Sequence, residues 1–128
     1  MSTITERVAA GAAYLDEHDP DWWRADVERA IDLATLNLSH GDACVLGQRC
    51  PLAVPDGITE YEAYGYELSG TVTWRMLSEW AAPLGFQIYG AWREDGTTEG
   101  RPRSEEMDEY RELTAEWKRV ITGRRAAA

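Results

Sequence analysis

Lysine is nearly absent from this chain of 128 residues: Lys118 is the only one, against twelve arginines. Phenylalanine and asparagine occur once each, as Phe86 and Asn37. Thirteen basic side chains face 23 acidic ones, a net charge of −10, so the positive field with which general DNA- or RNA-binding proteins collect phosphates is missing. The same charge repels anionic lipid. No apolar run reaches the roughly 18 residues of a membrane span, and Met1-Ser2-Thr3-Ile4-Thr5-Glu6 lacks the basic-then-apolar order of a secretory signal; the expected location is the cytoplasm. The two cysteines, Cys44 and Cys50, fit a reducing compartment and are expected as thiols. A chain of this length buries enough surface to fold without a disulfide or a metal. There is no glycine-rich phosphate loop, Gly-x-Ser-x-Gly elbow or His-Glu-x-x-His pair, and nothing in the motifs argues for an enzyme or a cofactor.

What is abundant is indole and phenol. Six tryptophans and six tyrosines join large apolar bodies to polar tips, which suits half-buried positions and interfaces. The acidic charge is uneven: residues 1–100 carry a net −11 and residues 101–128 a net +1.

The periodicities predict a mainly α, compact single domain of four to five short helices. It spans residues 1–122, with a C-terminal tail over 123–128 and at most a small β element around residues 86–92. Thr3 and Glu6 form a capping box ahead of an apolar stripe of Ile4, Val8, Ala12 and Leu15. The small run at residues 10–13 invites close approach by another element. Asp19 and Pro20 read as cap and first residue of a second helix over Asp21–Ala30. Residues 32–38 read as irregular, dropping leucines into the core. Ser39 is expected to cap a short helix that Gly47 ends. After a loop from Cys50, Ser69 or Thr71 opens a helix over Val72–Ala82 whose buried face includes Val72, Met76, Leu77 and Trp80. Phe86–Trp92 alternates as a strand would. Residues 93–103 read as a mobile polar loop, and Ser104 as the cap of the clearest helix. That helix carries Met107, Tyr110, Leu113, Trp117, Val120 and Ile121 on one face.

The run Asp32-Leu33-Ala34-Thr35-Leu36-Asn37-Leu38-Ser39 leads to a Cys44-Val45-Leu46-Gly47-Gln48 box, and Tyr110–Trp117 follows late in the chain. Together these resemble a family of small proteins of unknown function from actinobacteria and their phages. The arginine-rich, lysine-poor usage, typical of GC-rich genomes, agrees. The resemblance covers about a third of the chain and implies a shared fold, with no activity attached. Members often carry a second cysteine three residues before the box; here that position is Gly41, and the Cys-x-x-Cys pair is absent.

Three constellations are candidates for function. His40, Asp42, Cys44 and Cys50 sketch a metal or thiol site, since His40 and Cys44 would share a helix face; yet the Cys-to-Cys spacing matches no common zinc pattern. The stretch from Asp56 to Glu67, with Glu60, Tyr61, Glu62, Tyr64, Tyr66 and Glu67, reads either as an acidic–aromatic binding face or as one side of a helix packed on the core. Trp22 and Trp23 lie about 100° apart if helical, which places at least one at a surface edge or an interface. The expected function is therefore protein–protein interaction, with a partner protein or a second copy. One form of it is binding or inhibition of a host protein by mimicking nucleic-acid charge. A metal- or thiol-site protein and an enzyme of unrecognised type are the alternatives.

Overall fold

Thr3 and Glu6 begin the first helix, α1 (Ile4–His18), in a computed structural model that describes residues 2–89 and 103–128. Glu6 N donates to Thr3 Oγ1 at 3.1 Å and Thr3 N to Glu6 Oε1 at 3.2 Å, so the two orphan donors satisfy each other as the spacing predicts. Val8, Ala12 and Leu15 are buried along one face. Four further helices follow: α2 (Val45–Arg49), α3 (Glu60–Ser69), α4 (Trp74–Ala81) and α5 (Arg103–Ala127), with a 3-10 turn over Ala82–Leu84. The fold is mainly α, and no strand occurs among the described residues.

Long α5 organises the core. Leu113, Trp117 and Ile121 are fully buried. Phe86 stacks on Trp117 with ring centroids 5.5 Å apart, Trp22 meets it edge-on at 5.6 Å, and its indole N–H donates to Gly85 O at 2.7 Å. The small run in α1 does what its size suggests. A Cβ at Gly11 would overlap the carbonyl oxygen of Leu84 and stand 2.9 Å from the Trp117 ring. Alanine is the better helix former by about 1 kcal/mol, so at an open site Gly11→Ala would stabilise. Here overpacking outweighs propensity, and Gly11→Ala should lower stability by about 1–3 kcal/mol. The urea midpoint measures it; an unchanged or raised midpoint contradicts this close approach.

Several expectations are corrected. The second helix over residues 21–30 is not formed, and the segment is a series of turns. Guanidinium groups from distant elements serve its carbonyls: Arg49 Nη1 donates to Glu28 O and Arg29 O, and Arg125 donates to Trp23 O, which a helix would have bonded internally, and to Ile31 O. Arg29 accordingly has a positive φ of 56°. Asp19 ends α1 and forms a forked pair with Arg49 at 2.9 and 2.7 Å. Ser39 does not cap α2; its hydroxyl is held by Asn37 Oδ1, and the cap is Cys44, whose sulfur accepts from Gly47 N at 3.3 Å. Gly47 lies inside α2 rather than ending it, because a Cβ there would strike the backbone at Gly41 and Asp42.

Helix α4 starts later than expected, after Thr73, which leaves Val72 outside it and 82% exposed. Leu77 and Ala81 face the core, Leu77 against the bare surface of Gly65 in α3, so Met76 points about 100° away and is 45% exposed. Phe86–Tyr89 is not a strand. Its polar groups bond to side chains: Gln87 O accepts from Arg7, Ile88 N donates to Gln87 Oε1, and Tyr89 N donates to Glu109. The rest of that β element and the loop at 93–102 lie outside the described residues. Ser104 sits inside α5, whose first described residue is Arg103. The residues from 123 on, read as a tail, continue the helix to Ala127. There Arg124 forks onto Asp16 and holds that carboxyl below its usual range.

The irregular path of residues 32–38 is as expected, with Leu36 and Leu38 buried. It is braced by Gln48, which accepts from Asp32 N and donates to the carbonyls of Asp32 and Ala43.

Candidate interaction surface

Thr59 and Glu62 cap α3 as Thr3 and Glu6 cap α1, and the cap fixes which side of the acidic–aromatic stretch faces inward. Tyr61 and Tyr64 turn in. Tyr61 is 4% exposed, and its hydroxyl, near Gln87, completes no hydrogen bond. Gln87 Oε1 already accepts from Tyr110 at 2.6 Å and from Ile88 N. Burial pushes the Tyr61 phenol well above its ordinary range. Tyr64 donates to Asp19 at 3.1 Å, completing the Arg49–Asp19 cluster. These two tyrosines are core residues and are removed from the candidate face. Tyr66, Glu60 and Glu62 are half-buried, and Glu67 is exposed.

Trp22 is fully buried, its indole N–H donating to Asp16 Oδ1 at 2.9 Å, so it too leaves the list of contact residues. Trp23 is half-buried at the edge of a shallow cleft shared with Asp26 and Arg125. The pair thus divides between core and surface edge, as two neighbours pointing in different directions must.

The apolar exposure lies elsewhere. Among the described residues, the large hydrophobic side chains that are exposed are Leu52, Ile58, Val72, Trp74 and Met76. All five fall within one 25-residue stretch. Trp74, at the start of α4, meets Tyr61, at the start of α3, edge-on at 6.1 Å. That contact ties the two helix starts together, with Ile58 just ahead of one and Val72 just ahead of the other. The charge there has one sign: residues 51–74 contain Asp56, Glu60, Glu62 and Glu67 and no basic side chain. Arg75, the next basic residue, is paired with Glu79 at 3.1 Å. The stretch that carries the exposed apolar side chains is therefore acidic, with Arg75 as its one basic residue. The sequence does carry a signal for it. Within eight-residue α4, Met76 stands about 100° from Leu77 and about 140° from Ala81, off the buried face.

His40, Asp42, Cys44 and Cys50 do not form a centre. Among the described residues no three His, Cys, Asp or Glu side chains stand close enough to hold a metal ion. Cys44 is the buried cap of α2, and burial pushes its thiol up to about 12. A thiol that stays protonated is neither a nucleophile nor a ligand. Cys50 is half-buried, its sulfur 3.8 Å from Leu52 O. At pH 8, iodoacetamide is expected to label Cys50 alone in the native protein and both cysteines in denaturant; rapid labelling of native Cys44 contradicts its burial. The pH dependence follows. The unfolded thiol ionises near its ordinary value of 9, and the folded one near 12. Its contribution to stability is intact below about pH 9 and is lost as the pH rises toward 12.

Compared with family models, curated proteins and solved structures, the chain matches none.

Proposed function

We propose that this chain acts by binding another protein, and that the α3–α4 face takes a segment of the partner that is both apolar and basic. The observation that supports it is the coincidence just described: the exposed large apolar side chains share one stretch with four acidic side chains and a single basic one, Arg75, which is paired with Glu79. Small soluble domains rarely leave such side chains grouped without a use. Carboxylates in that stretch favour a cationic partner and raise its encounter rate. The same charge argues against a second copy as the occupant, since two such faces, each on a chain of net −10, repel. A protein with a basic groove, including one that otherwise holds nucleic acid, is one form of the partner.

The probe is a labelled amphipathic peptide of leucine and lysine, with a leucine–glutamate peptide as control, both at physiological salt. The basic peptide binds, and the double variant Val72→Ser with Met76→Ser weakens it about tenfold, because roughly half the transfer free energy of each side chain is lost. Equal binding of the acidic peptide, or an unchanged dissociation constant in the double variant, overturns the proposal.

A further inference from the structure

Beside its core stripe, α5 carries a second one. Met107, Arg111, Ala115 and Lys118 recur at three- and four-residue steps and share a side of the helix. They form one wall of a groove whose other wall is the irregular segment with Leu36 and Asn37. Leu38 N donates to Thr114 Oγ1 at 3.0 Å; this bond pins the segment to the helix and sets the spacing of the walls. The groove has a volume of about 330 Å³, at the lower end of the range of about 300–1,000 Å³ found for small-molecule sites. Buried Leu36 and half-buried Met107 contribute apolar surface.

Its charge runs against the rest of the chain. Among the described residues no acidic side chain lines this groove, whereas Arg111 and Lys118 do. Arg111 is engaged with Asp108 at 2.7 Å. Lys118, the only lysine, is half-buried and makes no ion pair among the described residues. Asn37 Oδ1 accepts from the backbone and hydroxyl of Ser39 at 2.9 and 2.6 Å, which orients its amide and leaves Nδ2 as a donor. An ammonium with no ion pair among the described residues, beside apolar surface, suits an apolar body carrying a single carboxylate.

We infer that the groove between α5 and residues 36–39 binds a small apolar carboxylic acid, with Lys118 as the partner of the carboxylate and Leu36, Met107 and Ala115 against the apolar body. The inference is independent of the α3–α4 face. Octanoate is the probe, with octan-1-ol and octylammonium as uncharged and cationic controls, each titrated into the full chain and followed by amide NMR. Octanoate shifts the Asn37 side-chain amide and the backbone amides of Ala115 and Lys118 saturably, and more tightly than either control. Lys118→Met keeps the aliphatic stem and weakens octanoate about fivefold, the worth of a partly exposed ion pair, while octan-1-ol is unaffected. Lys118→Gln serves as the second variant if Lys118→Met does not give a native spectrum. Equal affinity for octanoate and octan-1-ol, shifts gathered away from the groove, or an unchanged dissociation constant in the folded variant overturns it.

Discussion

Trp117→Ala is expected to remove about 3–5 kcal/mol of stability, the range for emptying a buried aromatic site, from a total of about 5–15 kcal/mol for a domain of this size. The size of the effect follows from what the ring touches. Trp117 is fully buried, stacked on Phe86, edge-on to Trp22, against Gly11 of α1, and bonded to Gly85 O. Its loss opens a cavity between α1, α5 and the turn at Gly85, and strands a buried carbonyl. Trp117→Phe keeps a ring against Phe86 and loses only the indole bond and part of the volume, so its cost is smaller. Urea unfolding of the three proteins measures this order. A loss below about 1 kcal/mol for Trp117→Ala contradicts the central place of the ring.

Arg7→Met is expected to cost a similar amount, about 3–5 kcal/mol, because it breaks a buried ion pair from one side. Arg7 is 3% exposed. Its Nε donates to Ala82 O at 2.9 Å, Nη2 to Gln87 O at 2.7 Å, and Nη1 lies 2.9 Å from Glu109 Oε2; the guanidinium also sits 4.3 Å from the centre of the Tyr89 ring. One planar group thus joins α1, the 3-10 turn, the irregular segment at Gln87 and α5. Methionine fills the space but leaves a carboxylate and two carbonyls without this donor. Arg7→Lys restores only part of the loss, because a single ammonium cannot reproduce the fork. If Arg7→Lys equals wild type, a point charge suffices and the forked geometry is not needed.

These two sites differ in how far the residues announced them. The stripe through Leu113, Trp117 and Ile121 repeats at the helical period over many turns, so its burial was legible, as were the capping box at Thr3 and the close approach at Gly11, whereas the capping box of Thr59 and Glu62 lay in a stretch read as a loop with broken helix. Arg7 was not legible. It lies off the apolar stripe of α1 and reads as a solvated charge, and the carbonyls it serves are 75 and 80 residues away. Arg49 and Arg125 are alike in this: each captures carbonyls of residues 23–31 and turns a segment with helical cap signals into a chain of turns. Tertiary donors overrode local preference there. Of the side chains the sequence offered for a binding face, Trp22, Tyr61 and Tyr64 are buried. Tyr61 and Tyr64 follow the helical period into the core, while Val72, counted as core, falls outside α4, which Thr73 caps, and Met76 lies about 100° round the helix from buried Leu77.

The Arg49–Asp19–Tyr64 cluster bears on the surface as well as the fold. By drawing Tyr64 inward it leaves Glu67 exposed and Tyr66 half-buried on α3.

The most direct measurement is an amide and methyl NMR titration of the full-length chain with the leucine–lysine peptide, read for where the shifts fall. Shifts concentrated at Ile58, Glu60, Val72, Trp74 and Met76, with the core reporters Leu113 and Ile121 still, are the predicted result. Shifts spread evenly over the acidic surface, or centred on the Trp23 cleft, would show that the α3–α4 face is not where this protein meets its partner.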